Sequence, residues 1–311
     1  MGRTLFGVVI AAATLFCGAG AWAQVGYKIV TASERGTYIQ IGKDLAKFVA
    51  PAAGITLEAL PSAGSAENVQ RLRHEPGVKL AMVQSDVYQA FLDLDRGGNR
   101  EAGTLIRPLR VVMPLYNEEI YFIARADSEL QAMHDIRNAR INVGPLLSGT
   151  AMSATTLYRQ MFDAAIPESN VSYLSNEEAL VKLTGDKSVD VVVVVAGQPA
   201  KLLADMAPEA RQLIKLLRFD AARPESQAAL KTYFPVTVRA ASYPKLLADD
   251  VPGLAVKAYL VTYDYADEVS SVRSISALDL ELGVAIDAFA VDRHPDDPTP
   301  VYARPYSMVD G

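Results

Sequence analysis

Five consecutive valines, Val191 to Val195, with Val189 just before them, most narrow what this chain can become. A strand with one wet face alternates apolar and polar residues, so an unbroken β-branched run reads as a parallel strand covered on both faces. Parallel sheets need helices on each side. The flanking sequence supplies them. From Tyr27, short apolar runs alternate with helical patterns: Tyr27 to Thr31, a helix around Ile41, Leu45 and Phe48, then Ile55 to Ala59 with apolar residues at every second position. A helix after Ser65, a run from Leu80 to Val83, a helix from about Asp86 to Arg96, and strand-like runs at Leu109 to Leu115 and Ile120 to Ala124 follow.

A second series begins at Arg140. It has a run from Ile141 to Gly144, a helix with apolar residues at Ala151, Ala154, Tyr158 and Met161, and a run from Val171 to Leu174. Ser175 and Glu178 then stand at capping-box spacing before the helix that leads to the valines. The two series are joined by strand-like segments near Tyr116 to Ala124 and Ile214 to Phe219, with no Gly/Ser-rich linker. This predicts two β/α lobes sharing a double crossover, residues 24–116 with 218–290 in lobe I and 117–217 in lobe II. Leu254 to Tyr263 reads as a strand and Val269 to Ile286 as a long helix, both packing back on lobe I. Residues 291–311 read as an extended tail.

The N-terminus, Met1-Gly2-Arg3, an uncharged stretch from Thr4 to Ala19, and Ala21-Trp22-Ala23, has the form of a secretory signal peptide. Cleavage after Ala23 and a periplasmic location are predicted. The only cysteine, Cys17, lies in the removed stretch, so the mature chain would hold no thiol or disulfide. Phe16 before it disfavours lipidation. No later segment approaches 18 uncharged apolar residues, which predicts no direct membrane insertion of the mature chain. Half the residues are hydrophobic, so disorder is excluded as the main state, and a net charge of −6 argues against nucleic acid as a partner.

Four loops fall between a strand and a helix start and are rich in small or hydroxyl residues: Ser33 to Tyr38, Ser62 to Asn68, Gln84-Ser85-Asp86, and Gly144 to Thr150. In β/α sheets, ligands collect beyond the strand ends, where helix N-termini offer N–H groups and a partial positive charge. Each loop taken singly also reads as ordinary capping and turn chemistry. Asp86 reads first as a helix cap.

Taken in order, these loops make the chain resemble the TAXI group of TRAP-transporter solute receptors. The resemblance rests on Gly36-Thr37-Tyr38, Gly64-Ser65-Ala66-Glu67-Asn68, Gln84-Ser85-Asp86 and Gly144 to Thr150. Leu115-Tyr116, Arg125 to Ser128, Val195 to Pro199 and Asp250 to Pro252 extend it over about Tyr27 to Phe289. It implies a type II periplasmic-binding-protein fold closing over a small carboxylate-bearing solute, such as glutamate or a related organic acid, with a TRAP-type membrane permease as partner and no cofactor. The site it implies takes Gly36, Thr37, Tyr38, Ser65, Asn68, Gln84 and Ser85 from the first lobe. From the second lobe come Ser148, Gly149, Thr150 and Gln198. The group's pattern has Gly and Tyr where this chain has Arg35 and Ile39. A guanidinium at Arg35 can grip a carboxylate with two parallel hydrogen bonds, so Arg35 joins the expected site.

Enzyme chemistry has little to build on. The nucleophile-elbow pattern is missing, and His74 and His134 read as surface residues. His294, with Asp292, Asp296 and Asp297, lies in a Pro-interrupted acidic tail without settled metal geometry. Glu118 and Glu119 are adjacent on a strand and point to opposite faces, which argues against paired acid/base work. Glu118 is left either lining the cleft or facing solvent. No catalytic residue and no metal site are expected. A receptor that reports its solute to a membrane sensor, and an exported hydrolase, are the alternatives.

Overall fold

The computed structural model describes residues 25–264. The signal segment with Cys17, the helical pattern from Val269 to Ile286 and the tail at 291–311 lie outside the described residues. One mixed sheet organises the molecule. In chain order the first elements are β1 (Val25–Val30), α1 (Thr37–Asp44), β2 (Ile55–Leu60), α2 (Ser65–His74), β3 (Val78–Gln84), α3 (Ser85–Arg96), α4 (Arg100–Ile106) and β4 (Leu109–Arg125). There follow β5 (Ile141–Asn142), α5 (Gly149–Phe162), β6 (Val171–Ser172), α6 (Asn176–Thr184), β7 (Val191–Ala196), α7 (Lys201–Ala204), β8 (Ile214–Leu216), β9 (Phe234–Val238) and β10 (Val251–Tyr263). The strand order is β2-β1-β3-β10-β4-β7-β5-β6, with β8 on β4 and β9 on β10.

The valine run behaves as its composition predicts. β7 lies parallel to β5 and antiparallel to β4, and its side chains alternate between two cores. Val191 and Val193 pack with α5 residues such as Leu157, while Val192 and Val194 pack with Leu183 of α6 and Leu203 of α7. Burial on both faces is what removes the need for polar residues. In the first half, Leu80 and Met82 of β3 face Ile41 and Leu45, and Ala81 and Val83 face Val69, Leu72 and Phe91.

Two antiparallel strands, β4 and β10, carry the chain between halves, paired from Leu254–Ile120 to Tyr263–Leu109. The ladder shifts register between Lys257 and Tyr259, close to the switch from one half to the other. The burial of β4 changes there as well. Before Glu118 the strand is half exposed apart from Leu109, as an edge strand that tolerates Pro114; from Glu118 to Ala124 it is buried between β10, β7 and β8.

Two expectations are revised. Phe219, Ala229, Tyr233, Leu254 and Val256 belong to the core around β7 and α5, whereas Ala258, Leu260 and Val261 belong to the first half. The chain therefore returns to the first half within β10, near residue 257, and not at residue 218. Of the segment Ile214 to Phe219 only Ile214–Leu216 forms a strand, and it pairs with β4 inside the second half. Phe48 is also misplaced by a simple helical period. After α1 the backbone widens into a π turn, Leu45–Val49, and the changed period turns Phe48 outward to 48% exposure while Val49 and Ala50 go inside.

Candidate functional site

A cavity of about 760 Å³ opens between the halves. The N-termini of five helices of eight or more residues meet on its wall. The residues preceding α1, α2, α3, α5 and α6, namely Gly36, Gly64, Gln84, Ser148 and Ser175, all line it. The first turns of α1 and α5 carry no acidic residue, and no side chain among the described residues caps α1. Their N–H groups and partial positive charge are therefore directed at the cavity without an internal carboxylate to offset them.

Nine of the twelve expected residues line this cavity: Arg35, Gly36, Thr37, Tyr38, Ser65, Gln84, Ser148, Gly149 and Thr150. Three are built into the fold instead. Asn68 is fully buried; its amide donates to the carbonyls of Thr31 and Met82, and its Oδ1 accepts from Ser62. Ser85 Oγ accepts from the backbone N–H of Lys257, tying α3 to the crossover strand. Gln198 Oε1 accepts from the backbone N–H of Arg239 at 2.7 Å. All three make hydrogen bonds within the fold, and none is among the residues that line the cavity.

Arg35 lies on the rim. Its side chain is 84% exposed and its Nη1 stands 3.7 Å from Glu177 Oε1 of the opposite half. An exposed pair at that distance is a weak, screened contact, unlike the buried two-pronged grip expected from its residue type.

Deeper in, a hydrogen-bonded chain connects four elements, α1, α2, β3 and β4. The Gln84 N–H donates to Ser65 Oγ at 3.1 Å, and the Tyr38 hydroxyl donates to Glu118 Oε2 at 2.6 Å. Tyr116 reaches the other carboxyl oxygen at 3.3 Å, and its ring meets that of Tyr38 edge to face, centroids 6.4 Å apart. The Ser65 hydroxyl also lies within hydrogen-bonding reach of Tyr38. Glu118 is 4% exposed. Burial, reinforced by the nearby Asp86 and Glu119 carboxyls, pushes it up to about 8 despite the two phenol donors. Its neighbour Glu119 faces away from the cavity wall and is pushed up to about 7, again mainly by burial. The alternation predicted from the strand thus separates the two carboxyls and resolves the place of Glu118: it lines the cleft.

Two buried acceptors on the cavity wall, Gln84 Oε1 and Asn176 Oδ1, have no hydrogen-bond partner among the described residues. Charges on the wall are mixed: Arg35 and Lys201 against Glu34, Glu118, Glu177 and Asp205. Positive potential on this wall therefore comes from the helix ends and not from a cluster of cations.

Beside the cavity the halves touch. The Glu67 N–H donates to the Leu147 carbonyl at 3.2 Å. Gly64, at φ +129° in a region closed to other residues, brings its backbone against Ser148 and Gly149. A Cβ on Gly149 would stand 1.7 Å from Gln84 Oε1. Asp86 is not the cap of α3, whose N-cap is Gln84; from the first turn it accepts from the Ser153 hydroxyl of α5 at 2.6 Å and from Tyr233 at 3.2 Å, so it ties α3 to the second half.

Two α/β halves, two crossing strands and a cavity lined by helix N-termini define the type II periplasmic-binding-protein fold. An ancestral arginine-binding protein bound to arginine shares it, with a TM-score of 0.51 at 13% identity over 86% of this chain and 94% of that one. The binding-protein component of an ABC phosphonate transporter from Pseudomonas aeruginosa gives 0.49 at 13% identity, over 86% and 79% of the two chains. PhnD1 from Prochlorococcus marinus in complex with methylphosphonate gives 0.49 at 10%, over 84% and 83%. The family model for the NMT1-like family matches residues 29–275, and the chain belongs to that family.

Proposed function

We propose that this protein is an extracytoplasmic solute receptor of the TAXI type. It holds a small carboxylate-bearing solute between two closing halves and delivers it, unchanged, to a TRAP-type permease. The observation that carries this reading is the convergence of five helix N-termini on one cavity between the halves. Those ends favour an anionic group. The partnerless acceptors Gln84 Oε1 and Asn176 Oδ1 favour a solute that also carries N–H or O–H donors, as an amino acid or hydroxy acid does. The permease, the periplasmic location and cleavage after Ala23 rest on the motif resemblance and the N-terminal sequence.

The moving bodies in this reading are residues 25–117 with 258–264, and residues 118–256, turning about the register shift in the β4–β10 ladder. Solute binds the closed form better because only closure brings both sets of helix ends onto it. Titration calorimetry with L-glutamate, L-glutamine and succinate tests the reading. Binding of at least one in the micromolar range, about −8 kcal/mol, is expected. No heat with any of them, together with no small molecule released from protein isolated from the periplasm, overturns it.

A further inference from the structure

A buried carboxyl on the wall of an anion-attracting cavity is an apparent contradiction, because an ionised Glu118 would repel the group that the helix ends attract. Resting on the receptor reading above, we propose that Glu118 sets what the cavity accepts by receiving the solute as a carboxylic acid, donating its proton in a hydrogen bond to an anionic oxygen of the solute.

Burial without an opposing cation supports an acid at this position, against the phenol donors that favour the ionised form. Oε2 is held at 2.6 Å by the Tyr38 hydroxyl, while Oε1 has only the 3.3 Å contact from Tyr116 and so has hydrogen-bonding capacity to spare. No salt bridge reaches Glu118 among the described residues. The groups that face it are themselves acidic or neutral: Tyr38 from α1, Asp86 from α3, Tyr116 and Glu119 from its own strand. On β10 its partner is Val256. Asp86 is buried and also pushed upward by burial. The cations on the cavity wall, Arg35 and Lys201, have exposed side chains and stand near Glu177 and Asp205. The phenol donors and helix ends offset a charge on Glu118 only in part, and no cation faces it among the described residues, so the protonated form receives an anionic solute better.

The proton balance follows. Where free Glu118 has kept its proton, the solute binds with no exchange. Where it has ionised, binding draws one proton from solvent onto the carboxyl. The solute keeps its own covalent structure throughout.

The test is calorimetry on the full chain with L-glutamate, L-glutamine and succinate from pH 6 to 9.5, in buffers of different ionisation enthalpy. With Glu118 at about 8, affinity is expected to hold below pH 7 and to weaken towards tenfold per unit above pH 9, with proton uptake near pH 8.5. Glu118→Gln keeps a neutral donor, so its dissociation constant at pH 6 should stay within about threefold of the parent and no longer depend on pH. Glu119→Gln should leave the pH dependence in place. An infrared band of a protonated carboxyl at pH 6, missing from Glu118→Gln, is the ligand-free check.

Loss of binding by tenfold or more in Glu118→Gln at every pH, with parental affinity improving above pH 8, overturns the inference. It would make Glu118 the counter-ion of a solute cation while leaving the receptor reading intact. Absence of binding by parent and variant alike at all pH values overturns the receptor reading itself.

Discussion

The two halves contribute to the cavity in different ways. Tyr38, Ser65 and Gln84 of the first half, with Glu118 at the crossover switch, are buried and hydrogen-bonded in a chain across four elements. The second half contributes the start of α5, whose Ser148 caps its own helix, and the more exposed Ser175, Asn176 and Glu177. The Val194 to Ala196 strand end and the α7 wall complete its side. A pre-ordered polar floor faces a lid made mainly of helix ends. In the proposed receptor the floor holds the solute before closure, and the helix ends of the lid supply the surplus affinity that favours closure.

The largest effect expected from perturbing this comparison is on folding. Leu157→Ala in the second half and Leu72→Ala in the first each empty a fully buried site, at a cost of about 2–5 kcal/mol. Because β4 and β10 run through both halves, each variant should lower a single calorimetric transition. Two separated transitions would show halves that fold independently.

Next comes closure. Gly149→Val places side-chain atoms where Gln84 and Ser65 now sit, so solute affinity should fall by at least tenfold, about 1.4 kcal/mol. Adding Gln84→Ala to that variant should restore part of the loss if the clash is the cause, since residues in contact couple. Additive losses would place the defect elsewhere.

The buried acids of the crossover give a pH dependence of stability. Glu118 and Glu119 are held at about 8 and about 7, above the value of 4.5 for the free side chain. The folded state then binds more protons than the unfolded one. The stability this contributes is complete below about pH 4.5 and is lost as pH rises through 7 to 8. Thermal unfolding of the ligand-free chain should occur at a falling temperature from pH 5 to 8, apart from other titrating groups, and Glu118→Gln should flatten the decline. An unchanged slope in that variant would show Glu118 ionised in the folded state.

The smallest effect is at the rim. Arg35→Ala removes an exposed contact to Glu177, and the dissociation constant should move by less than about threefold. A tenfold change would mean that Arg35 turns inward when solute binds.

Much of this was legible before any tertiary contact was known, because it is local. The valines of β7 required cover on both faces, and the alternation of Glu118 and Glu119 required that they part. The small polar loops at Gly36, Gly64, Gln84 and Ser148 marked helix starts, where the next residues always have N–H groups to offer. What residue type alone left illegible has an equally physical reason. Asn68, Ser85 and Gln198 are the same kinds of residue as Ser65 and Gln84, yet backbone groups at Met82, Lys257 and Arg239 occupy them. Residue type announces a hydrogen bond without saying to whom. Arg35 shows the same limit for charge, since the guanidinium's value depends on how deeply it is buried.

Local pattern alone therefore determined the β/α architecture, the two series and the positions of the helix starts, because side-chain period and capping act over a few residues. Only the tertiary structure decided where the chain returns between halves, which polar groups face the cavity, and that Glu118 is a buried acid without a cation opposite it. Those properties depend on what stands across from a residue, and across a sheet or a cleft that neighbour comes from a distant part of the chain.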